Sequence, residues 1–157
     1  MPGFVDTHIH YPQTEMTGAF GEQLLQWLEH YVFPVESQYR GPAHADRMWS
    51  FFLHQLLSNG TTTALFFGTV HSQLVEALFS TAEKQGMRLI AGKVMMDRNA
   101  PDDLIEMPEE SYQQTHEFIE RRHNRGHLVC TAPRFAPTCS GALLEKVCQL
   151  KNAFPGI

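Results

Sequence analysis

The stretch FVDTHIH, residues 4–10, decides which fold this chain can adopt. Apolar and polar residues alternate from Phe4 to Ile9, and three of these residues are β-branched, which predicts a strand. Alternate side chains of a strand share a face, so His8 and His10 lie on one side together with Asp6, close enough for both imidazoles to bind one metal ion. The alternative is a pair of hydrogen-bonded or exposed loop histidines, and the short spacing alone leaves both interpretations open.

The rest of the chain alternates between predicted strands and predicted helices. Hydrophobic periodicity and the positions of Gly and Pro predict helices over residues 22–32, 42–58, 72–85, 109–124 and 140–153, the first stopped by Pro34 and the fourth capped by Gly126. β-Branched and apolar runs predict strands over residues 61–67, 88–96 and 128–132, the last ending before Pro133. This strand–helix repetition favours a parallel sheet with right-handed crossovers.

Two architectures suit that repetition, an open doubly wound sheet and a (β/α) barrel. A nucleotide-binding open sheet usually has a glycine-rich turn after its first strand, and the turn at residues 8–13, HIHYPQ, has no glycine. A barrel needs eight strands and about 250 residues, whereas this chain has four predicted strands in 157 residues. We therefore expect an α/β fold that is a partial (β/α)8 TIM-type barrel: its first four βα units, in one incomplete domain over residues 1–157.

The composition excludes several classes of protein. Hydrophobic residues make up 43% of the chain, with 11 Phe, 4 Tyr and 2 Trp, so a disordered chain is not expected. The net charge of −5 disfavours a nucleic-acid partner, and no stretch approaches the roughly 20 apolar residues that span a membrane. The start of the chain is unlike a signal peptide. Three cysteines in no Cys-x-x-Cys pair favour reduced thiols in a cytoplasmic protein.

Four segments together carry a resemblance to a known family. Residues 2–10, PGFVDTHIH, resemble the first-strand signature of the amidohydrolase superfamily, whose members hold one or two metal ions inside a (β/α) barrel. Residues 11–13 (YPQ), 92–99 (GKVMMDRN) and 133–139 (PRFAPTC) narrow this resemblance to the guanine deaminase family. The motifs occur in the family's order and the resemblance extends over essentially the whole chain.

The resemblance implies roles for five residues of this sequence. His8 and His10 would be two of the protein ligands of a catalytic zinc ion. Gln13 would use its amide against the edge of the purine, Arg134 would present its guanidinium to the ring, and Phe135 would help to hold the flat base. No residue of this chain is assigned as the catalytic proton carrier. Without the resemblance, Arg134 would be interpreted as a surface cation and Phe135 as a core aromatic.

The implied reaction is hydrolytic deamination of guanine, a small-molecule purine, to xanthine and ammonia. The family's further ligands, two histidines and an aspartate, and its proton-carrying glutamate would lie on later barrel strands, and the family also has a flanking β-sandwich. We expect this chain to be a fragment without those parts and inactive by itself. The alternatives are a fragment of an amidohydrolase that acts on another heterocycle, and a non-catalytic βα module.

Three further polar residues lie on or just after the predicted strands. We interpret Lys93 as structural and His71 as a hydrogen-bonded loop histidine. Asp97 either orients a neighbouring group of the site or serves as a helix cap or ion-pair partner.

The outer edges of the first and fourth strands would lack partners in half a barrel, which favours self-association. A homodimer would bring eight strands together and close the barrel.

Overall fold

The computed structural model describes residues 1–123 and 128–157. Six helices and six strands are described over these ranges, together with two 3-10 turns at Tyr11–Met16 and Ala136–Thr138 and a π-helical turn at Leu28–Val32, called the π turn below. The strands are β1 (Phe4–His10), β2 (Thr61–Phe67), β3 (Arg88–Gly92), β4 (Val94–Met95), β5 (Leu128–Val129) and β6 (Ala132–Pro133). The helices are α1 (Leu24–Trp27), α2 (Phe33–Gln38), α3 (Pro42–Ser58), α4 (Ser72–Lys84), α5 (Pro108–His123) and α6 (Gly141–Ala153).

The four main strands form one parallel sheet in the order β1-β2-β3-β5. His10 of β1 is in register with Phe67 of β2, and Phe67 is in register with Gly92 of β3, so the carboxyl ends of three strands are level. Strands β4 and β6 form a second parallel pair just beyond them. The predicted α/β class, with a parallel sheet whose strands follow chain order, is confirmed.

Helices α3, α4 and α5 pack against the strands of the sheet through apolar residues that recur at helical spacing. Helix α3 buries Trp49, Phe52 and Leu53, and α4 buries Leu74 and Leu78 among its apolar residues. These side chains join the buried residues of β2 and β3 in one hydrophobic core. A smaller cluster, formed by Met16, Leu28, Val32, Phe33, Val70, Val94, Met96 and Leu104, lies around the π turn and β4.

The prediction that the first helix stops before Pro34 is wrong. The helical path continues from α1 through the π turn into α2, which contains Pro34 in its first turn. In the π turn the N–H of Phe33 donates to the carbonyl of Leu28, five residues earlier. Proline lacks an N–H but is accommodated at the start of a new helical segment, where that donor is not needed.

The predicted third and fourth strands are each divided into two. The run over residues 88–96 is interrupted at Lys93, where the chain leaves the main sheet, and it resumes as β4, which pairs with β6. The fourth strand resumes as β6, which includes Pro133, where the sequence predicted an end. Pro133 is accommodated because, among residues 1–123 and 128–157, β6 pairs with β4 and with no second strand, so one of its edges needs no N–H donor. The predicted cap at Gly126 lies outside the described residues.

Strand β1 is an edge strand and is more exposed than the sequence predicts. Its odd-numbered side chains were expected to pack against helices, but Val5 is 64% exposed and Thr7 is also exposed, while Ile9 alone among them packs against the core. The reason is that β1 pairs only with β2, and its other edge has no strand among the described residues. No helix in the described ranges is both long and apolar enough to cross a membrane.

Helix α6 begins where the sequence predicts, and its first turn explains Asp97. The Ser140 hydroxyl accepts a hydrogen bond from the N–H of Leu143 at 3.1 Å, as an N-cap does. Asp97, after β4, accepts hydrogen bonds from both the N–H and the hydroxyl of Ser140. Asp97 therefore supports the helix cap through Ser140, and its orientation of a neighbouring group of the site stays a prediction.

Close approach of two strands at Gly92 generates a stability prediction. A Cβ atom at Gly92 would overlap the carbonyl oxygen of Cys130 and crowd the Cβ of Ala132. We expect Gly92→Ala to lower the free energy of unfolding by about 1–3 kcal/mol, measured by urea denaturation followed by circular dichroism. Gly141→Ala is the control, since nothing lies within 4 Å of its Cβ position. Equal stability of the two variants would contradict the close approach.

Candidate functional site

A cleft of about 1010 Å³ lies at the carboxyl end of β1 and contains all five predicted site residues in its wall. His8 and His10 come from β1, Gln13 from the following 3-10 turn, and Arg134 and Phe135 from the segment after β6. Parallel pairing accounts for this meeting, because it places the carboxyl ends of the strands at one edge of the sheet. Residues more than 120 positions apart thereby line one space.

The two histidines form a compact pair. Their ring centroids are 5.1 Å apart in an edge-to-face arrangement. Phe67 of the neighbouring strand stacks on His10 with a centroid distance of 4.5 Å and an interplanar angle of 14°, and its ring also lies 4.9 Å from His8. The carboxylate of Asp6 accepts a hydrogen bond from the backbone N–H of His8 at 3.0 Å. The strand and one aromatic ring therefore fix both imidazoles.

The environment of His10 favours its neutral form. Burial, the nearby positive charge of Arg134 and the neighbouring His8 together lower the pKa of His10 from its ordinary value to about 3. Its Nδ1 atom is buried and has no hydrogen-bond partner among residues 1–123 and 128–157. A neutral imidazole with an unused nitrogen is the form of histidine that binds metal ions.

These two histidines fit part of a metal site. Imidazole nitrogens suit zinc, and a catalytic zinc ion uses three protein ligands plus an open position. Within the part of the chain that the structure describes, no three His, Cys, Asp or Glu side chains come together in a way that could hold a metal ion. Among the described residues, His8 and His10 are therefore the pair that could contribute ligands to such a site.

Aromatic residues anchor the start of the turn that contains Gln13. The turn begins with Tyr11 and Pro12, both buried, and proline sets the backbone angle that the first helical position needs. The Tyr11 ring contacts Tyr39 and Trp49 edge to face, at centroid distances of 5.4 and 6.0 Å. Gln13, two residues after this anchor, is partly exposed in the cleft wall.

Arg134 is buried and fixed from three directions. Its backbone N–H donates to the carbonyl of Met95 at 3.1 Å, which ties the start of the segment to β4. Its Nη1 donates to Oε2 of Glu36 at 2.6 Å, and its guanidinium carbon lies 5.7 Å from the centre of the Phe33 ring. Phe135 follows in an extended conformation, and its carbonyl accepts the N–H of Thr138 at 3.0 Å.

Sequence reasoning did not identify Glu36. This residue lies in α2, 98 positions before its partner, and its side chain is almost wholly buried. No short motif surrounds it, and the Pro34 that precedes it was interpreted as the end of the helix. The available signal was indirect: a buried arginine needs a carboxylate partner.

Lys93 and His71 do not line the cleft. The Lys93 ammonium is fully buried in an ion pair with Glu106, and it also lies 3.5 Å from the hydroxyl of Ser111. His71 precedes α4, and its N–H donates to the hydroxyl of Thr69 at 3.2 Å. Burial lowers the pKa of both side chains. The contacts of Lys93 agree with its structural interpretation. His71 is hydrogen-bonded through its backbone, but its ring Nε2 is buried and has no hydrogen-bond partner among residues 1–123 and 128–157, so a hydrogen-bonded imidazole stays a prediction.

Comparison with known sequences places these features in a family. The sequence model of the amidohydrolase family matches residues 1–154. The chain is 57% identical over 156 residues to the guanine deaminase of Escherichia coli (strain K12), and the match covers 99% of this chain and 36% of the relative. It is 38% identical over 158 residues to a probable guanine deaminase of Deinococcus radiodurans, which covers 100% of this chain and 36% of the relative.

Comparison with solved structures gives the same relatives. The Escherichia coli guanine deaminase superposes with a TM-score of 0.93, covering 99% of this chain and 36% of that one. Guanine deaminase of Bradyrhizobium japonicum is 41% identical and superposes with a TM-score of 0.94, and the match covers 98% of this chain and 34% of that one. Guanine deaminase of C. acetobutylicum, which was solved with bound guanine, is 32% identical. It superposes with a TM-score of 0.93, and the match covers 98% of this chain and 37% of that one.

The chain spans about a third of the length of the curated relatives that it matches. Its four parallel main strands superpose on the corresponding part of barrel enzymes, so the predicted partial (β/α) barrel is confirmed.

The buried ion pair of Lys93 generates a prediction about stability. Lys93→Met leaves the carboxylate of Glu106 without its partner, so we expect the free energy of unfolding to fall by about 3 kcal/mol. The double variant Lys93→Met/Glu106→Leu removes both charges, and we expect it to recover most of that loss. Urea denaturation measures both, with the exposed Lys84→Met as the control. A double variant no more stable than the single one would contradict the structural role.

Proposed function

The chain belongs to the amidohydrolase family, and from that membership we propose that it is the portion of a zinc-dependent guanine deaminase that contributes the first two metal ligands and part of the base pocket. One observation carries the proposal: the two histidines and the three residues suited to a purine line the same cleft. The similarity to guanine deaminases over the whole length of the chain supports the choice of reaction.

The chemistry of the cleft suits a neutral, planar base. The Gln13 amide can both donate and accept a hydrogen bond, the Arg134 guanidinium donates from a rigid plane, and Phe135 offers a flat apolar surface. Guanine presents donors and acceptors on its edges and two aromatic faces. The relative from C. acetobutylicum was solved with guanine in its active site, which supports guanine as the substrate.

His8 and His10 would hold the metal ion, and zinc is the ion that we propose. Zinc bound there would lower the pKa of a water molecule and supply hydroxide near neutral pH for attack on the ring carbon that bears the exocyclic amine. The neutral state of His10 leaves its nitrogen lone pair available for this role. Phe67 holds the rings in place while the metal binds.

We expect the 157 residues to have negligible deaminase activity by themselves. Two imidazoles hold zinc less firmly than a full ligand set, and no carboxylate of the described residues is assigned as the proton carrier that the leaving amine needs. In this proposal the remaining ligands and the proton carrier belong to the later barrel strands, the flanking β-sandwich lies outside residues 1–157, and these residues form one incomplete barrel domain.

The two alternatives drawn from the sequence receive less support. An amidohydrolase for another heterocycle would not account for relatives named guanine deaminase at 57% and 38% identity. A non-catalytic module would not account for five site residues in one cleft.

We propose a reducing compartment such as the cytoplasm as the location of the protein, because Cys130, Cys139 and Cys148 are free thiols.

The proposal is tested by guanine-dependent release of ammonia, measured on the 157-residue chain and on a hybrid enzyme. In the hybrid, residues 1–157 replace the matching 156 residues of the Escherichia coli relative, which supplies the rest of the barrel. We expect no turnover from the chain alone and turnover from the hybrid. His8→Ala and His10→Ala in the hybrid should each lower kcat/KM by at least about 100-fold and reduce the zinc content measured by atomic absorption.

The exposed His54→Ala is the matched control and should keep both activity and zinc. A folded hybrid that releases no ammonia from guanine would contradict the proposed reaction. Full zinc content in both histidine variants would contradict the proposed ligands. Turnover by the monomeric chain alone would contradict the proposal that later barrel strands supply the rest of the active site.

We also propose that two copies of the chain associate through the outer edges of β1 and β5. These edges have no strand partner among the described residues, and Phe4 and Val5 on β1 are each 64% exposed. An unpaired edge with apolar side chains favours pairing with another strand. Light scattering should give a mass above that of the monomer, and Val5→Lys should restore the monomer. A monomer mass at every concentration would contradict this association.

A further inference from the structure

The guanidinium of Arg134 and the carboxyl of Glu36 form a buried ion pair behind the cleft. Their side chains are 4% and 6% exposed, and Nη1 donates to Oε2 at 2.6 Å. Phe33, three residues before Glu36 on α2, lies under the same guanidinium. Phe33 and Glu36, which share one face of α2, therefore hold the arginine that is proposed to bind the base.

The second oxygen of the same carboxyl has no partner of its own. Glu36 Oε1 is buried and has no hydrogen-bond partner within the described ranges. Burial raises the pKa of this carboxyl, and the neighbouring Arg134 offsets part of that rise. The Glu36 carboxyl therefore acts on Arg134, one of the three residues proposed to recognise the base.

The charge of the pair has a consequence for the ligand. Arginine stays protonated in proteins, so a buried Arg134 without a counter-charge would attract anions into the cleft. Glu36 is the carboxylate that forms an ion pair with Arg134 among residues 1–123 and 128–157. The pair as a whole has no net charge, while the remaining N–H groups of the guanidinium stay available as hydrogen-bond donors.

We propose that Glu36 is a positioning residue that fixes Arg134 and cancels its charge, so that the cleft binds an uncharged planar base in preference to an anionic one. This inference rests on the proposed function, because it takes Arg134 to be a base-binding residue. It goes beyond that function by naming the residue that selects for the charge of the ligand.

The test compares the binding of a neutral purine and an anionic purine to the hybrid enzyme. Guanine is neutral at pH 7, and urate, used as a competitive inhibitor, is an anion of similar size. In Glu36→Gln the carboxylate charge is lost at constant volume. We expect the KM for guanine to rise about tenfold with kcat changed less than about threefold, and the Ki for urate to fall about tenfold.

Glu36→Asp separates the two parts of the role. The shorter side chain keeps the charge and loses the reach, so we expect the KM for guanine to rise while the Ki for urate does not fall. Glu29→Gln, exposed on the neighbouring π turn, is the matched control and should change neither constant. A Glu36→Gln variant that weakens both ligands by the same factor, or changes neither, would overturn the proposal.

A third measurement does not depend on turnover. In the 157-residue chain, the ¹⁵Nε–¹Hε signal of Arg134 reports how firmly the guanidinium is held. We expect a sharp, slowly exchanging signal that broadens in Glu36→Gln and is unchanged in Glu29→Gln. An unchanged signal in Glu36→Gln would contradict the positioning role even if the hybrid did not act on guanine. Inactivity of the unaltered hybrid would count against the proposed function alone.

Discussion

Parallel pairing in chain order is the constraint on which the rest of this structure depends. It aligns His10, Phe67 and Gly92 across three strands, so the segments that leave those strands all begin at one edge of the sheet. Residues 8–13 and 134–135 meet there although more than 120 positions separate them. Because each βα unit adds its strand beside the previous one, the cleft is assembled by topology, and side chains at the strand ends decide what it binds.

Electrostatics within that cleft follows from burial. Burial is the largest cause of the lowered pKa of His10, and the positive charge of Arg134 adds to it. The same guanidinium forms a buried ion pair with Glu36. The cleft wall therefore combines an uncharged imidazole with a guanidinium whose charge is paired.

Local patterns predicted much of this, and long-range contacts account for what they missed. The bounds of β2 and α3 were predicted to the residue, since periodicity and the closing Asn59-Gly60 are local signals. Gln13, Arg134 and Phe135 were found through family motifs, and their roles stay predictions. Glu36 had no local signal, because its partner lies 98 positions away. The break at Lys93 was missed because the pairing of β4 with β6, 38 positions later in the sequence, is a tertiary contact.

The π turn at Leu28–Val32 sets the angular position of everything that follows it on α2. A helix advances by about 100° per residue, and a π turn accommodates one residue more than an α-helical turn does. One additional residue in an α-helical turn would rotate the residues after it by that angle, whereas the π turn accommodates the residue within one turn, so Phe33 and Glu36 keep their shared face toward Arg134. The π turn therefore absorbs chain length, whereas a residue removed within α2 before Glu36 would turn this carboxyl away from Arg134 without replacing any residue that lines the cleft.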